Sequence, residues 1–209
     1  MTTAMAAAVR AASTTVAGST HPAARSSIET AVVRIFGFTA GLVYEPDTVE
    51  VLRRASRAGR SDAPTMAFLD ALMTLPVEQP VALCDLTERQ RRLFLAAPPL
   101  TVDVDRHHVT RLAVAPVRTR LALVAARDWA DGLKRADRFA PFCARAVLLR
   151  ELPPDNSELL MRASFYGTGV CVFDGRRLDM VVEPRPYIRK RHTPAHWWFE
   201  EEVFAQIRG

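Results

Sequence analysis

The spacing of apolar residues changes once along the chain, near Leu100, and that change limits the fold more than any other feature. Up to Pro98 apolar residues recur three and four apart, as on one face of a helix. Beyond Leu100 they gather in short alternating or continuous runs separated by turn residues, as in strands. This predicts a helical N-terminal region over 27–98 and an α/β region over 99–209, a mixed sheet flanked by helices, with a C-terminal helix.

In the first region Ile28, Val32, Ile35 and Phe36 share a helical face, and Thr48–Ala58 is a second helix stopped by Gly59. Asp62 is placed to cap a helix carrying Met66, Leu69, Leu72 and Met73. Asp85 and Glu88 have capping-box spacing ahead of the stripe Leu86, Leu93, Phe94 and Ala97, and Pro98–Pro99 ends that helix. Arg89, Arg91 and Arg92 then form a solvated face. In the second region Val109–Ala115 and Arg118–Ala125 read as strands about Pro116, followed by a helix over Trp129–Phe139 and a strand over Arg145–Arg150. A helix over Ser157–Phe165, a strand over Val170–Phe173, a turn at Asp174–Gly175 and a strand over Arg177–Val182 come next. Thr193 caps a last helix begun by Pro194 and buried along Phe199, Val203 and Ile207. Residues 109–182 are expected to form one sheet.

Residues 1–26 hold Ala, Ser and Thr with two arginines and no acid, and are expected to be a disordered tail. Thr and Ser interrupt any continuous apolar core, so a secretory signal is not expected there, although an organellar leader has this composition. Hydrophobic residues are 49% and charged residues 24% of the chain, enough for a real core. No apolar run approaches the roughly 20 residues of a bilayer span. The three cysteines, Cys84, Cys143 and Cys171, form no CxxC pair, which excludes a disulfide scaffold and a cysteine zinc site. They are expected to be small core residues in a reducing, cytoplasmic setting.

Chemistry-bearing motifs are few. No GxSxG, P-loop or GxGxxG is present, and Gly167-Thr168-Gly169 lacks the third glycine. His107 and His108 are adjacent and would face opposite sides of a strand, so they cannot share a metal. His196 is placed to serve as a cap or an aromatic neighbour. No cofactor or metal is expected.

The stretch Leu121–Leu149 (LALVAARDWADGLKRADRFAPFCARAVLL) runs from an apolar strand through Arg127-Asp128-Trp129 into a helix and a second apolar strand. With Ala163–Val172 and the hairpin ending at Glu183–Pro184, it resembles the restriction-endonuclease-like, PD-(D/E)XK superfamily over about residues 85–185. Members end the second core strand in Glu-x-Lys, followed by Asp-Trp and a helix. The resemblance places the acidic position on Leu123, the lysine position on Ala125 and the helix glutamine on Arg135. The strand before, Thr110–Val114, offers no aspartate. Leucine and alanine hold no Mg²⁺ and stabilise no charge, so the resemblance implies a nuclease fold without catalysis. Asp103 and Asp105 remain as displaced ligands of a possible active site.

The chain carries 28 Lys and Arg against 23 acids, and only Lys134 and Lys190 are lysines. Guanidinium binds phosphate in bidentate fashion, although a coding bias toward arginine gives the same excess. Lys134, Arg135 and Arg138 on the helix, and Arg185, Tyr187, Arg189, Lys190 and Arg191 beyond the hairpin, form the candidate nucleic-acid-binding set. Trp197 and Trp198 are candidate partner anchors, one of them necessarily core. Two functions follow: a non-catalytic nuclease-fold accessory protein that binds nucleic acid or a nucleoprotein in DNA maintenance or defence, or a structural or regulatory subunit of a larger protein assembly.

Overall fold

The structure, a computed structural model, describes residues 2–18, 27–55 and 64–208. Its elements are, in order, α1 (Thr2–Gly18), β1 (Glu29–Ile35), β2 (Phe38–Pro46), α2 (Thr48–Ala55), α3 (Met66–Met73), β3 (Pro80–Ala82) and α4 (Glu88–Leu95). There follow β4 (Val102–Val104), β5 (His108–Arg111), β6 (Val117–Ala125), α5 (Trp129–Ala136) and β7 (Ala144–Leu149). The chain closes with α6 (Ser157–Tyr166), β8 (Gly169–Phe173), β9 (Leu178–Val182) and α7 (Pro194–Arg208). It divides into two compact units. The first comprises 1–46, 117–190 and 206–209; the second comprises 47–116 and 191–205.

The first unit is built on a six-stranded mixed sheet in the order β1-β2-β6-β7-β8-β9, parallel between β6, β7 and β8 and antiparallel elsewhere. Residues 29–46, expected to begin a helical region, are therefore a hairpin. Val32 and Ile35 satisfy helical spacing, but the buried pair is Val33 and Ile35, two apart as on one face of a strand, and Phe36 (φ 56°) with Gly37 (φ 87°) forms a two-residue left-handed turn matched to strand twist. Ala40 to Tyr44 are buried in succession, as in a strand covered on both faces.

Helix α1 packs on this sheet, correcting the expected tail for residues 2–18; residues 19–26 lie outside the described residues. Met5, Ala8, Val9 and Ala12 follow helical spacing and are buried with Val43, Leu121, Leu123, Ala146, Leu148 and Phe173. Small alanines hid this stripe from a search for large apolar residues, yet alanine is the best helix former. Gly41 permits the close approach: a Cβ there would stand 2.0 Å from Val9 Cγ2.

The β6-α5-β7 stretch lies where the sequence predicts it. Asp128 caps α5 by accepting from the Ala130 amide at 3.1 Å, and Leu133, Ala136 and Phe139 are buried. At the β8–β9 hairpin Asp174 Oδ1 accepts from the amides of Arg176 (2.7 Å) and Arg177 (2.8 Å), and Gly175 takes φ 102°. These amides, Arg177 first, hold the Asp174 carboxyl below its ordinary range.

The second unit has a three-stranded antiparallel sheet, β3-β5-β4, and a core of Phe68, Leu69, Leu72, Phe94, Val109 and Trp197. Residues 109–182 are thus not one sheet, because β3 and β4 occupy both edges of β5. Thr65 and Thr87, not Asp62 and Asp85, cap α3 and α4. Asp62 itself, with residues 56–63, lies outside the described residues. Arg111 is buried against the Trp197 ring, 4.5 Å from its centroid, and donates to the carbonyls of Ala113 (2.9 Å), Leu75 (3.2 Å) and Leu72 (3.3 Å). The last two lie at the C-terminus of α3, where a cation complements the dipole. Buried Glu50 pairs with Arg53 and Arg54, and Arg54 also pairs with Glu201 at 2.6 Å. Burial pulls the Arg54 guanidinium down, but Glu201 and Glu50 outweigh it and hold the group above its ordinary value.

Candidate nucleic-acid interface

In the first unit the 3-10 turn Asp137–Phe139, which follows α5, is tied to three other segments. Asp137 Oδ1 accepts from Arg145 Nε, at the start of β7 (3.0 Å), and from Thr168 Oγ1, after α6 (3.2 Å). Arg145 Nη2 also donates to the Tyr166 carbonyl at 2.9 Å, and the Arg185 amide donates to the Gly167 carbonyl at 3.1 Å. Tyr187 Oη donates to the Pro141 carbonyl at 2.7 Å, and Arg138 Nη1 to that of Phe36 at 3.1 Å. The topology requires this gathering. Strand β8 begins where β7 begins, and antiparallel β9 ends there, which delivers residues 183–187 to the same rim.

The rim brings the segment after α5, with Arg138 and Pro141, to Arg185 and the aromatic Tyr187, about fifty residues later in the sequence, while Lys134 and Arg135 stand in the last turn of α5. Arg135 is matched by Asp131 at 2.6 Å and Arg145 by Asp137 at 3.0 Å. Lys134, Arg138 and Arg185 are exposed, and among the described residues no carboxylate lies at ion-pair distance from them. Arg189 is half-buried and Lys190 exposed in the same unit, while exposed Arg191 belongs to the other unit. Glu200 and Glu201 pair within that second unit, with His196 (3.1 Å) and Arg54 (2.6 Å) respectively.

The positions that the resemblance assigns to a Glu and a Lys are apolar and covered. Leu123 is fully buried beneath α1, and Ala125 packs beside the same cluster. The strand antiparallel to β6 is β2, not the segment Thr110–Val114, and Gly41 stands opposite Leu123. The one carboxylate of β2, Glu45, pairs with Arg120 at 2.7 Å. Asp103 and Asp105 lie exposed in the second unit, and no group of three metal-ligating side chains occurs among the described residues. Asp105 instead closes a turn; the His107 and then the His108 amide hold its carboxyl below the ordinary range.

Of Trp197 and Trp198, Trp197 is the one that packs inward. It is fully buried under Arg111, and its Nε1 donates to Glu201 Oε1 at 2.9 Å; Trp198 is half-buried against the same core. Cys143 and Cys171 are core residues, as expected, but Cys84 is exposed. Sequence reasoning missed Asp137, Arg145 and Thr168, whose meeting depends on strand order, and also Phe165 and Tyr166, whose aromatic pair at the end of α6 was visible in the chain. No described helix is long and apolar enough to cross a membrane. Compared with protein-family models, with curated proteins and with solved structures, the chain gives no significant match.

Proposed function

We propose that this chain is a non-catalytic accessory protein with a nuclease-like core, and that it binds nucleic acid through the rim formed by the end of α5 and residues 185–190. The observation that carries the reading is the set of hydrogen bonds along this rim, Arg138 to the Phe36 carbonyl, Arg145 to Asp137 and the Tyr166 carbonyl, the Arg185 amide to the Gly167 carbonyl and Tyr187 to the Pro141 carbonyl. The strand–strand–helix–strand order of β2, β6, α5 and β7 supports the nuclease-like part, with residues 47–116 inserted in sequence between its first two strands. Apolar Leu123 and Ala125 support the absence of cleavage, since neither side chain ligates a metal.

Fluorescence anisotropy with labelled oligonucleotides tests the binding. Affinity should fall steeply with salt, by roughly 10³-fold between 50 and 200 mM if about six phosphates are contacted. Arg138→Ala with Arg185→Ala should weaken it and reduce the salt slope by about two. Salt-independent binding, or none at low salt, would defeat the reading. The second reading, a subunit of a protein assembly, draws on Val49 and Leu52, three residues apart and exposed on α2.

A further inference from the structure

Phe165 and Tyr166 close α6 with their rings in solvent, 74% and 52% exposed. The buried stripe of that helix is Leu159 and Ala163, and exposed Met161 lies one turn before Phe165. The two rings meet edge to face, with centroids 5.0 Å apart and planes at 90°. One ring therefore keeps a flat face open beside the other.

The backbone beneath them is anchored. Gly167 ends α6 in the left-handed conformation, φ 70°, and its amide donates to Ser164 at 3.2 Å. The Tyr166 carbonyl receives the Arg145 guanidinium at 2.9 Å. The Arg185 side chain lies directly over Gly167, where a Cβ would stand 2.7 Å from Arg185 Cβ and 3.0 Å from its Nε. Two arginine side chains thus lie against the backbone that ends α6.

An exposed aromatic pair suits an apolar protein surface or a nucleobase, and the neighbouring charge separates the two. From Pro184 to Lys190, within the same unit, the chain carries exposed Arg185 and Lys190 and no acid. An apolar protein patch offers exposed Arg185 no counter-charge, whereas a nucleic-acid strand supplies a phosphate beside every base. In a duplex the base faces are covered by their neighbours, so only an unpaired strand can lay a base on a ring. We propose that the end of α6 is a base-stacking platform for single-stranded nucleic acid, with Phe165 and Tyr166 under the bases and Arg185 on an adjacent phosphate. This rests on the nucleic-acid reading above and names its substrate class.

The test uses the full chain and three labelled probes: oligothymidylate of roughly 12 nucleotides, an abasic strand of equal length and the matching duplex. Oligothymidylate should bind tighter than the abasic strand by roughly 5- to 100-fold. Phe165→Ala with Tyr166→Ala should abolish that difference, leaving abasic-strand and duplex affinity, salt slope and melting temperature unchanged. Arg185→Ala should weaken all three probes. Equal binding of oligothymidylate and abasic strand by the native chain, or an unaltered preference in the double variant, would overturn the platform while leaving the nucleic-acid reading intact. No binding of any probe at low salt would overturn both, as would an oligonucleotide-insensitive complex formed with a protein through Phe165 and Tyr166.

Discussion

Replacing Arg111 should destabilise the second unit by an amount its contacts define. In Arg111→Met the stem volume and the cover over Trp197 are largely kept, and the desolvation cost of the guanidinium disappears. What remains is the loss of a donor to three carbonyls. That of Leu72 still receives the Leu75 amide at 3.1 Å, so only the carbonyls of Leu75 and Ala113 lose this buried donor without that replacement. At about 1–3 kcal/mol per unsatisfied buried group, and with a cation–π contact of up to about 2 kcal/mol set against the relief of desolvation, the net loss is about 3 kcal/mol. Arg111→Lys should recover less than half, because an ammonium has neither the fork nor the plane of guanidinium. Urea unfolding followed by tryptophan fluorescence measures this, since Trp197 and Trp198 both lie in the second unit. A loss under about 1 kcal/mol for the methionine variant would refute the reasoning, as would equivalence of lysine and arginine.

Three other outcomes are expected. Only Cys84 should react rapidly with a thiol reagent in the native protein, because Cys143 and Cys171 are buried and burial pushes the Cys171 thiol up to about 12; all three should react in denaturant. Burial, then the hydrogen bond donated to Glu29 Oε2 at 2.8 Å, raises the Tyr44 phenol above its ordinary value. The folded state therefore keeps a proton that the unfolded chain releases near pH 10, so this contribution is complete below that pH and is lost as pH rises further. Absorbance at alkaline pH should show Tyr44 ionising only together with unfolding; its free titration in folded protein would contradict this. Gly41→Ala should cost about 1–3 kcal/mol by forcing α1 off the sheet, and Val9→Ala in the same chain should recover part of it, measured by thermal melting.

Elements specified by local chemistry were legible in the sequence. Asp128 at the head of α5, Asp174–Gly175 between two β-rich runs and Thr193–Pro194 before α7 each signal their structure within a few residues, and each is found there. The β1–β2 hairpin was obscured because Ile28, Val32, Ile35 and Phe36 satisfy helical spacing while Phe36 is an unusual residue for a positive φ. Helix α1 was obscured because half of its buried face is alanine, which becomes a core stripe only where Gly41 lets the helix come close. The candidate rim was half legible: its cations stand in two runs, but the pairing of β7 with β8 and of β8 with β9 that unites them is a long-range property. Which of Trp197 and Trp198 packs inward was not legible for a related reason, since the cover of Trp197 is Arg111, eighty-six residues earlier in the chain.

The division of the second unit between residues 47–116 and 191–205 has a consequence for synthesis. By the time Lys190 has left the ribosome, every strand of the six-stranded sheet is available to pair. Residues 47–116, made much earlier, still lack Trp197 and Trp198, and Arg111 has no ring to cover it. A nascent chain must carry that segment with an open apolar side until its final helix emerges. A chain ended after Lys190 would thus keep every strand of the sheet but hold a loose, chaperone-accessible insertion, and restoring residues 191–205 would close it.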